Sequence, residues 1–329
     1  MLVRECLTKK IREKLSDKIC SCGFCLADCI RSGEANPDGH IGVYAGCSEC
    51  YNTFSSLLRP IIEKYHDFSF KKNHRSDFSS RNLRNMPPLG DFIVSVRVRV
   101  GRNLRGYPFG ATINMEQRLE AEDRISKTVQ NFRGDLRGKY FPLPEMEEKI
   151  RQKLVSDHFL FREGDRFQEA AGLNRDWPRG RGIFLTQNKK FLLWINEEDH
   201  LRIISMEKGG DVLSVARRLF RALRFLEKDL DFASSKQLGF LTSCPSNLGT
   251  AMRVSVHMKL EKLSLRPDFK QIVRRLGLSA RGIDGEFSNS PDRIYDISNT
   301  ARLGMTEIEI IEQFYRGTEE LIRMEKELK

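Results

Sequence analysis

Residues Phe191 to Arg202 read Phe-Leu-Leu-Trp-Ile-Asn-Glu-Glu-Asp-His-Leu-Arg. The apolar run predicts a buried strand, and it leads straight into three adjacent carboxylates, Glu197, Glu198 and Asp199. Neighbouring carboxylates repel one another unless a cation lies among them. The segment therefore marks the rim of a site for a cationic substrate, a metal ion or both. A second group of residues is cationic. Arg97 and Arg99 alternate with valines, and Arg202, Arg253 and Arg281 follow at strand ends. Guanidinium forks grip phosphate oxygens bidentately, so arginines on separate strands suit a polyphosphate. No Walker A pattern is present, so the phosphates would not sit on a P-loop. Cys244, ahead of a Pro-Ser-Asn-Leu-Gly turn, and Glu286, in the glycine-rich Arg281-Gly-Ile-Asp-Gly-Glu-Phe loop, complete the set.

These side chains need a scaffold. Between Phe92 and Val100, the residues Val94, Val96, Val98 and Val100 alternate with Ser95, Arg97 and Arg99. Period two puts the valines on one face and the serine and arginines on the other. Gly182–Leu185 and Lys190–Ile195 read as a hairpin. Leu201–Met206, Leu238–Thr242, Met252–His257 and Arg293–Ile297 read as further strands, the third carrying Arg253, Ser255 and His257 on one face. Helices are expected over 113–132, 144–158, Asp211–Leu226 and 307–327, the last opened by a Thr306/Glu309 capping box. Residues 1–67 read as short helices, with Leu57, Leu58, Ile61, Ile62 and Tyr65 at helical spacing. The polar, proline-bearing stretch over 68–90 breaks the pattern. The expected division is a helical domain at 1–75, a linker at 76–90 and a catalytic domain at 91–329.

The chain of 329 residues has 40% hydrophobic and 31% charged residues and a net charge of +11. Its apolar runs are far shorter than the ~20 residues a membrane span needs. The N-terminus lacks the apolar stretch of a secretory signal, so a cytoplasmic location with reduced thiols is expected. The basic residues are dispersed, apart from a run near Lys71–Arg84, and lack aromatic interleaving. Neither nucleic acid nor membrane is an expected partner.

Four segments carry a resemblance. Ser95-Val-Arg-Val-Arg-Val-Gly-Arg-Asn-Leu-Arg-Gly-Tyr-Pro-Phe109, Asn196-Glu-Glu-Asp-His-Leu-Arg-Ile-Ile-Ser-Met-Glu-Lys-Gly-Gly-Asp211, Cys244-Pro-Ser-Asn-Leu-Gly-Thr250 and Ile294-Tyr-Asp-Ile-Ser-Asn299 resemble the phosphagen (ATP:guanidino) kinases, and within them the arginine kinases. The resemblance implies an α+β fold: a small all-helical N-terminal domain, and a larger glutamine-synthetase-like domain with an antiparallel sheet flanked by helices. It implies reversible transfer of the ATP γ-phosphoryl group to L-arginine, giving phosphoarginine and ADP, with Mg2+ as cofactor. Taurocyamine or another guanidino compound is the alternative substrate, and a weakened nucleotide-binding paralogue the alternative class. By matched position, Arg97, Arg99, Arg202, Arg253 and Arg281 would clamp the phosphates, with Ser95 and His257 near the nucleotide and Asp296 near its adenine. Glu198 and Glu286 would hold the guanidinium, with Cys244 beside it as a thiolate favoured by the substrate cation. Glu197 and Asp199 would act through magnesium-bound water. Gly39, His40, Ile41 and Gly42 would contact the substrate carboxylate, and Tyr44 would offer a hydroxyl. The oligomeric state is not fixed by the sequence; a monomer is expected, with a dimer as the alternative.

The chain departs from the arginine kinase pattern at several positions. Leu185 stands in place of an adenine-contacting histidine, Asp284 of an arginine and Phe287 of a histidine. Val96 and Val100 replace a threonine and a cysteine, His40 a small residue, and Ser290-Pro-Asp-Arg293 a more acidic stretch. Arg102, Arg105 and Arg302 are further cations near the clamp. His200 reads as structural, and Asp211 as a helix start. Seven of the eight cysteines precede residue 51. Cys22-x-x-Cys25 and Cys47-x-x-Cys50 alone would suggest zinc. The resemblance treats these positions as ordinary residues, and no structural zinc is expected.

Overall fold

The segment Ile93–Arg102 forms the central strand, β1, because its valines bury one face while its polar residues line the other. Val96, Val98 and Val100 are buried. Val94 departs from the expected face: a register irregularity between Ile93 and Ser95 turns it out, 46% exposed. In this computed structural model, residues 1–282 and 292–328 are described; Asp284, Glu286 and Phe287 lie outside them.

The other strands are β2 Gly138–Pro142, β3 Gly182–Thr186, β4 Phe191–Ile195, β5 Leu201–Lys208, the short β6 Ser234–Ser235 and β7 Gly239–Phe240, β8 Met252–Lys259, β9 Leu278–Gly282 and β10 Ile294–Asn299. Among the described residues β1–β5 and β8–β10 form an eight-stranded antiparallel sheet, ordered β2-β3-β4-β5-β1-β8-β10-β9, while β6 and β7 pair with each other apart from it. Strands β2 and β9 were not anticipated from the sequence. The strand expected at Leu238–Thr242 shrinks to β7. Gly239 has φ +66° and packs against Gly249, so the chain bends there instead of continuing in the sheet.

The N-terminal part holds α1 Leu2–Cys6, α2 Lys9–Leu15, α3 Leu26–Ala35, α4 Cys50–Thr53 and α5 Ser55–His66. The larger part adds α6 Met115–Val129, α7 Glu148–Ser156, α8 Arg166–Ala170, α9 Val212–Leu226, α10 Phe269–Arg275 and α11 Glu307–Glu327. Asp211 caps α9, and the Thr306/Glu309 capping box opens α11. The main core lies between the valine face of the sheet and residues of α6, α9 and α11. Opposite it, a smaller core of Leu143, Phe161, Trp194 and Ile204 covers the β3–β5 side. The N-terminal helices have their own core, which extends onto Phe109, Leu241, Leu248 and Leu303 of the larger domain.

The stretch over 76–90 packs along the catalytic part. Leu83, Met86 and Leu89 are buried in its core, and Tyr315 Oη donates to the Pro87 carbonyl at 2.7 Å. Buried Glu307 accepts from Ser76 Oγ and the Asp77 N–H, both at 2.8 Å.

Candidate active site

The strand register lays out a grid on the polar face. Ser95 faces His257, which faces Asp296, which faces Arg281. Two residues along β1, Arg97 faces Ser255. Two further, Arg99 faces Arg253. Arg202 lies opposite Gly101 on the other side of β1. Alternation puts all of these on one face. Trp194 faces Arg202 across β4 and β5, and its ring lies 5.5 Å from the guanidinium carbons of both Arg97 and Arg202.

This crowding is electrostatically costly. Burial lowers the pKa of Arg97 to about 10, and Arg202 and Arg253 push it the same way. Burial, then Arg202, Arg253 and Arg97, drives Arg99 well below the ordinary arginine range. Arg253 is also lowered by burial, partly offset by Asp296, with which it pairs at 2.6 Å. Arg97 Nε and Nη2 are buried without a hydrogen-bond partner. Such cations call for an anion.

The carboxylates sit on the β4–β5 hairpin. Asn196 takes the left-handed conformation (φ 55°) that asparagine tolerates, and its N–H closes the loop onto the His200 carbonyl at 2.9 Å. Its side chain donates to the Gly180 and Arg118 carbonyls. Arg202 reaches back to pair with Glu197 at 3.0 Å and Glu198 at 2.8 Å. Burial pushes Glu198 up to about 7 against the pull of Arg202, with Asp199 and Glu197 adding to the rise. Asp199, also raised by burial, accepts at Oδ1 from Asn103 Nδ2 and the Ser243 N–H, both at 2.7 Å. Glu197 Oε1 accepts from Arg202 and, at 3.3 Å, from Gln168. These oxygen donors suit a hard, hydrated cation.

Cys244 enters from the Pro245–Asn247 turn. Burial, then Glu198, raises its pKa to about 12; the expected thiolate depends on the substrate cation beside it. Ser246 Oγ is 3.0 Å from its sulfur. The turn is held by Arg302, which donates to the Ser246 carbonyl at 2.7 Å and Asn247 Oδ1 at 3.0 Å, while Asn247 Nδ2 reaches Glu198 at 3.4 Å. Gly249 follows with φ +92°, and a Cβ there would collide with the Arg302 carbonyl.

The N-terminal domain closes the site. Tyr44 packs with Ala171, Leu173 and Cys244. The Ala45 N–H donates to the Ser243 carbonyl, and Tyr51 Oη to that of Thr242, both at 2.7 Å. The loop Gly39–Gly42 is pinned through its carbonyls: His40 accepts from Leu2 and Ile41 from Val3. Its far side meets α8, where Arg166 pairs with Asp38 and the Phe167 ring packs on Gly39.

Sequence reasoning passed over Trp194, Asn247 and Gln168. Trp194 had a signal, an aromatic one strand away from the arginines; Gln168 had none. His200 is structural, buried with its pKa lowered to about 4 by burial, accepting from the Leu104 N–H. Arg102 is buried over the Phe240 ring and donates to the Gly101 and Thr250 carbonyls; Arg105 pairs with Asp231 outside the site. Leu185 packs in the smaller core.

The profile of the ATP:guanido phosphotransferase C-terminal catalytic domain matches residues 120–328, and that of the corresponding N-terminal domain matches residues 1–63. The chain belongs to the ATP:guanido phosphotransferase family. It is 48% identical over 328 residues to an arginine kinase of Liolophura japonica, covering 99% of this phosphotransferase and 94% of that protein. It is 46% identical over 332 residues to arginine kinase Lit v 2 of Penaeus vannamei, covering 99% and 93%. Among solved structures, the duplicated taurocyamine kinase of Schistosoma mansoni with bound transition state analog components superposes with a TM-score of 0.93 at 41% identity; the match covers 99% of this phosphotransferase and 46% of that chain. A lombricine kinase superposes equally, TM-score 0.93 at 35% identity, over 99% and 92%. The phosphagen kinase fold and a guanidino phosphotransferase activity follow.

Proposed function

We propose that the phosphotransferase moves the ATP γ-phosphoryl group reversibly to the guanidino group of L-arginine, giving phosphoarginine and ADP in the cytoplasm. The observation that carries this reading is the buried arginine group, with Arg97 Nε and Nη2 unpartnered, set beside carboxylates that already grip a guanidinium. That guanidinium is Arg202's own, the same chemical group as the substrate's. Residues 1–75 act as the acceptor-reading domain, 76–90 as the connection and 91–329 as the catalytic domain.

In this reading Arg97, Arg99, Arg202, Arg253 and Arg281 take the phosphate oxygens. Ser95, His257 and Asp296, aligned across three strands, lie toward the nucleoside end. Glu197 and Asp199 would hold hydrated magnesium, which when bound neutralises charge on the phosphates. Glu198 holds the substrate guanidinium and takes a proton from it as nitrogen attacks; a guanidinium is a poor nucleophile until that proton leaves. A pKa near 7 suits a base working near neutrality. Glu286 would bracket the guanidinium from the glycine-rich loop. Cys244 borders it, and the incoming cation draws its thiol toward thiolate. Gly39, His40, Ile41, Gly42 and Tyr44 take the acceptor's carboxylate end, in a loop whose length favours arginine over larger acceptors. The monomer carries every residue named.

The deciding experiment is coupled ADP release with MgATP and a panel of L-arginine, taurocyamine, lombricine, glycocyamine and creatine. Arginine should give the highest kcat/KM. Preference for taurocyamine or lombricine would redirect the substrate assignment, and ATP binding without turnover on any of them would overturn the enzymatic reading.

A further inference from the structure

The N-terminal cysteines pair differently in space than in sequence. Cys25 starts α3, and its N–H and Sγ both donate to Asp28 Oδ2. It is Cys20, two residues before Cys22, that turns inward. The sulfurs of Cys20, Cys47 and Cys50 lie within 4.8 Å of one another. Cys20 Sγ is 3.4 Å and Cys47 Sγ 3.7 Å from Cys50 Sγ. The three residues are 3%, 8% and 0% exposed. Cys22, partly buried in the same turn, lies outside that close trio of sulfurs and would complete the set as the fourth thiol.

A tetrahedral thiolate site with metal–sulfur bonds of about 2.3 Å requires sulfur–sulfur edges of about 3.8 Å. Simple thiol contact allows similar spacing, so the construction around the sulfurs decides. Cys20-Ser-Cys-Gly-Phe is a tight turn: the Gly23 N–H donates to the Cys20 carbonyl at 2.8 Å, the Cys20 N–H to that of Phe24 at 2.9 Å, and Gly23 takes φ +79°. Glu49, inside the second pair, accepts from the Ser21 N–H at 2.8 Å and Ser21 Oγ at 2.5 Å, inside the first. The two turns are thus already strapped together around the sulfurs.

We propose that Cys20, Cys22, Cys47 and Cys50 form a structural binding site for a thiophilic divalent metal ion, zinc by its chemistry. The ion would fix the turn carrying Gly46, whose carbonyl accepts from the Phe109 N–H at 2.7 Å next to the Ala45–Ser243 contact. It would thereby staple the helical domain where that domain meets the Cys244 segment.

The test is metal analysis of the full-length chain purified under reducing conditions without chelator, joined to cobalt substitution. One zinc per chain is expected. Cobalt exchange should give intense tetrahedral d–d bands with sulfur-to-cobalt charge transfer. Cys47→Ser and Cys50→Ser should lose the zinc and the charge-transfer band, whereas Cys25→Ser should retain both. Should the Cys50→Ser chain fail to fold, the wild-type zinc content and cobalt spectrum still decide. Zinc far below one per chain, an octahedral cobalt spectrum, loss of metal in Cys25→Ser, or a Cys20–Cys50 disulfide in the freshly purified protein would each overturn the proposal.

Discussion

Replacing Glu198 by Gln separates the cost of holding this carboxylate from its use. Burial raises the group from 4.5 to about 7. A shift of that size corresponds to about 3 kcal/mol against the ionised form in the folded chain. The sign follows from proton binding. Between pH 4.5 and about 7 the folded chain binds more protons at this group than the unfolded chain, so stability falls as pH rises through that window. Gln keeps the shape and removes the titration. The Glu198→Gln chain should therefore lose less stability than the parent between pH 5 and pH 8, by up to about 3 kcal/mol, in urea unfolding at each pH. Turnover should move the opposite way. Loss of a positioned base typically costs about 10²- to 10⁴-fold, with MgADP still bound because every clamp arginine remains and Arg202 keeps its pairing with Glu197. In the parent, kcat/KM with arginine should drop as pH falls through about 7, as the free enzyme's base protonates. Turnover within tenfold of the parent would refute the base assignment. An unchanged pH slope of stability would refute the claim that burial of this carboxylate strains the fold.

Three further substitutions probe other parts. Arg97→Lys removes the guanidinium whose Nε and Nη2 lack partners; MgADP affinity by calorimetry should weaken about ten- to hundredfold, as expected for a charged hydrogen bond worth about 1.5–3 kcal/mol, and unchanged affinity would sink its phosphate role. Gly249→Ala places a Cβ at φ +92° against the Arg302 backbone, so urea unfolding should register about 1–3 kcal/mol of destabilisation, with activity reduced because the Cys244 turn depends on Arg302. Glu307→Gln turns an NH2 toward Ser76 or the Asp77 N–H, which both now donate to a carboxylate; a cost of about 1–3 kcal/mol and faster proteolysis between residues 76 and 90 are expected, and equal proteolysis would show that Glu307 does not hold that stretch.

What the sequence made legible was periodic. Alternation in 92–100 showed the arginine face, and the amphipathic pattern over Asp211–Leu226 gave α9 almost residue for residue. Where the backbone leaves period two, reading failed. Val94 turned out of its predicted face at the β1 irregularity, and the strand expected at Leu238–Thr242 was cut short by the close Gly239–Gly249 approach. Strand β9 escaped notice because Leu278–Gly282 alternates weakly and owes its place to pairing with β10. The stretch over 76–90 read as a linker because its polar residues outnumber the four apolar ones, Phe78, Leu83, Met86 and Leu89, that pack on the core. Spacing alone pairs Cys22 with Cys25, whereas in the fold Cys25 bonds to Asp28 at the start of α3 and Cys20 lies with Cys47 and Cys50.

The two halves of the site carry opposite strains. Burial disfavours charge on both sides, lowering the pKa values of Arg97, Arg99 and Arg253 and raising those of Glu198 and Asp199. Arg202 is the exception. Burial works against its charge too, yet Glu197, Glu198 and Asp199 hold its pKa above the ordinary value. It faces both halves, lying in the arginine row and pairing with Glu197 and Glu198. A bound nucleotide would supply anionic charge to the arginine half, and a guanidino acceptor would supply a cation to the carboxylate half. Each ligand would weaken the reason for Arg202 to stay with Glu197 and Glu198. The acceptor competes with it for the same oxygens, and the phosphates offer it new ones. Nucleotide and acceptor should therefore favour each other's binding through this side chain, with no need for any other coupling between their sites.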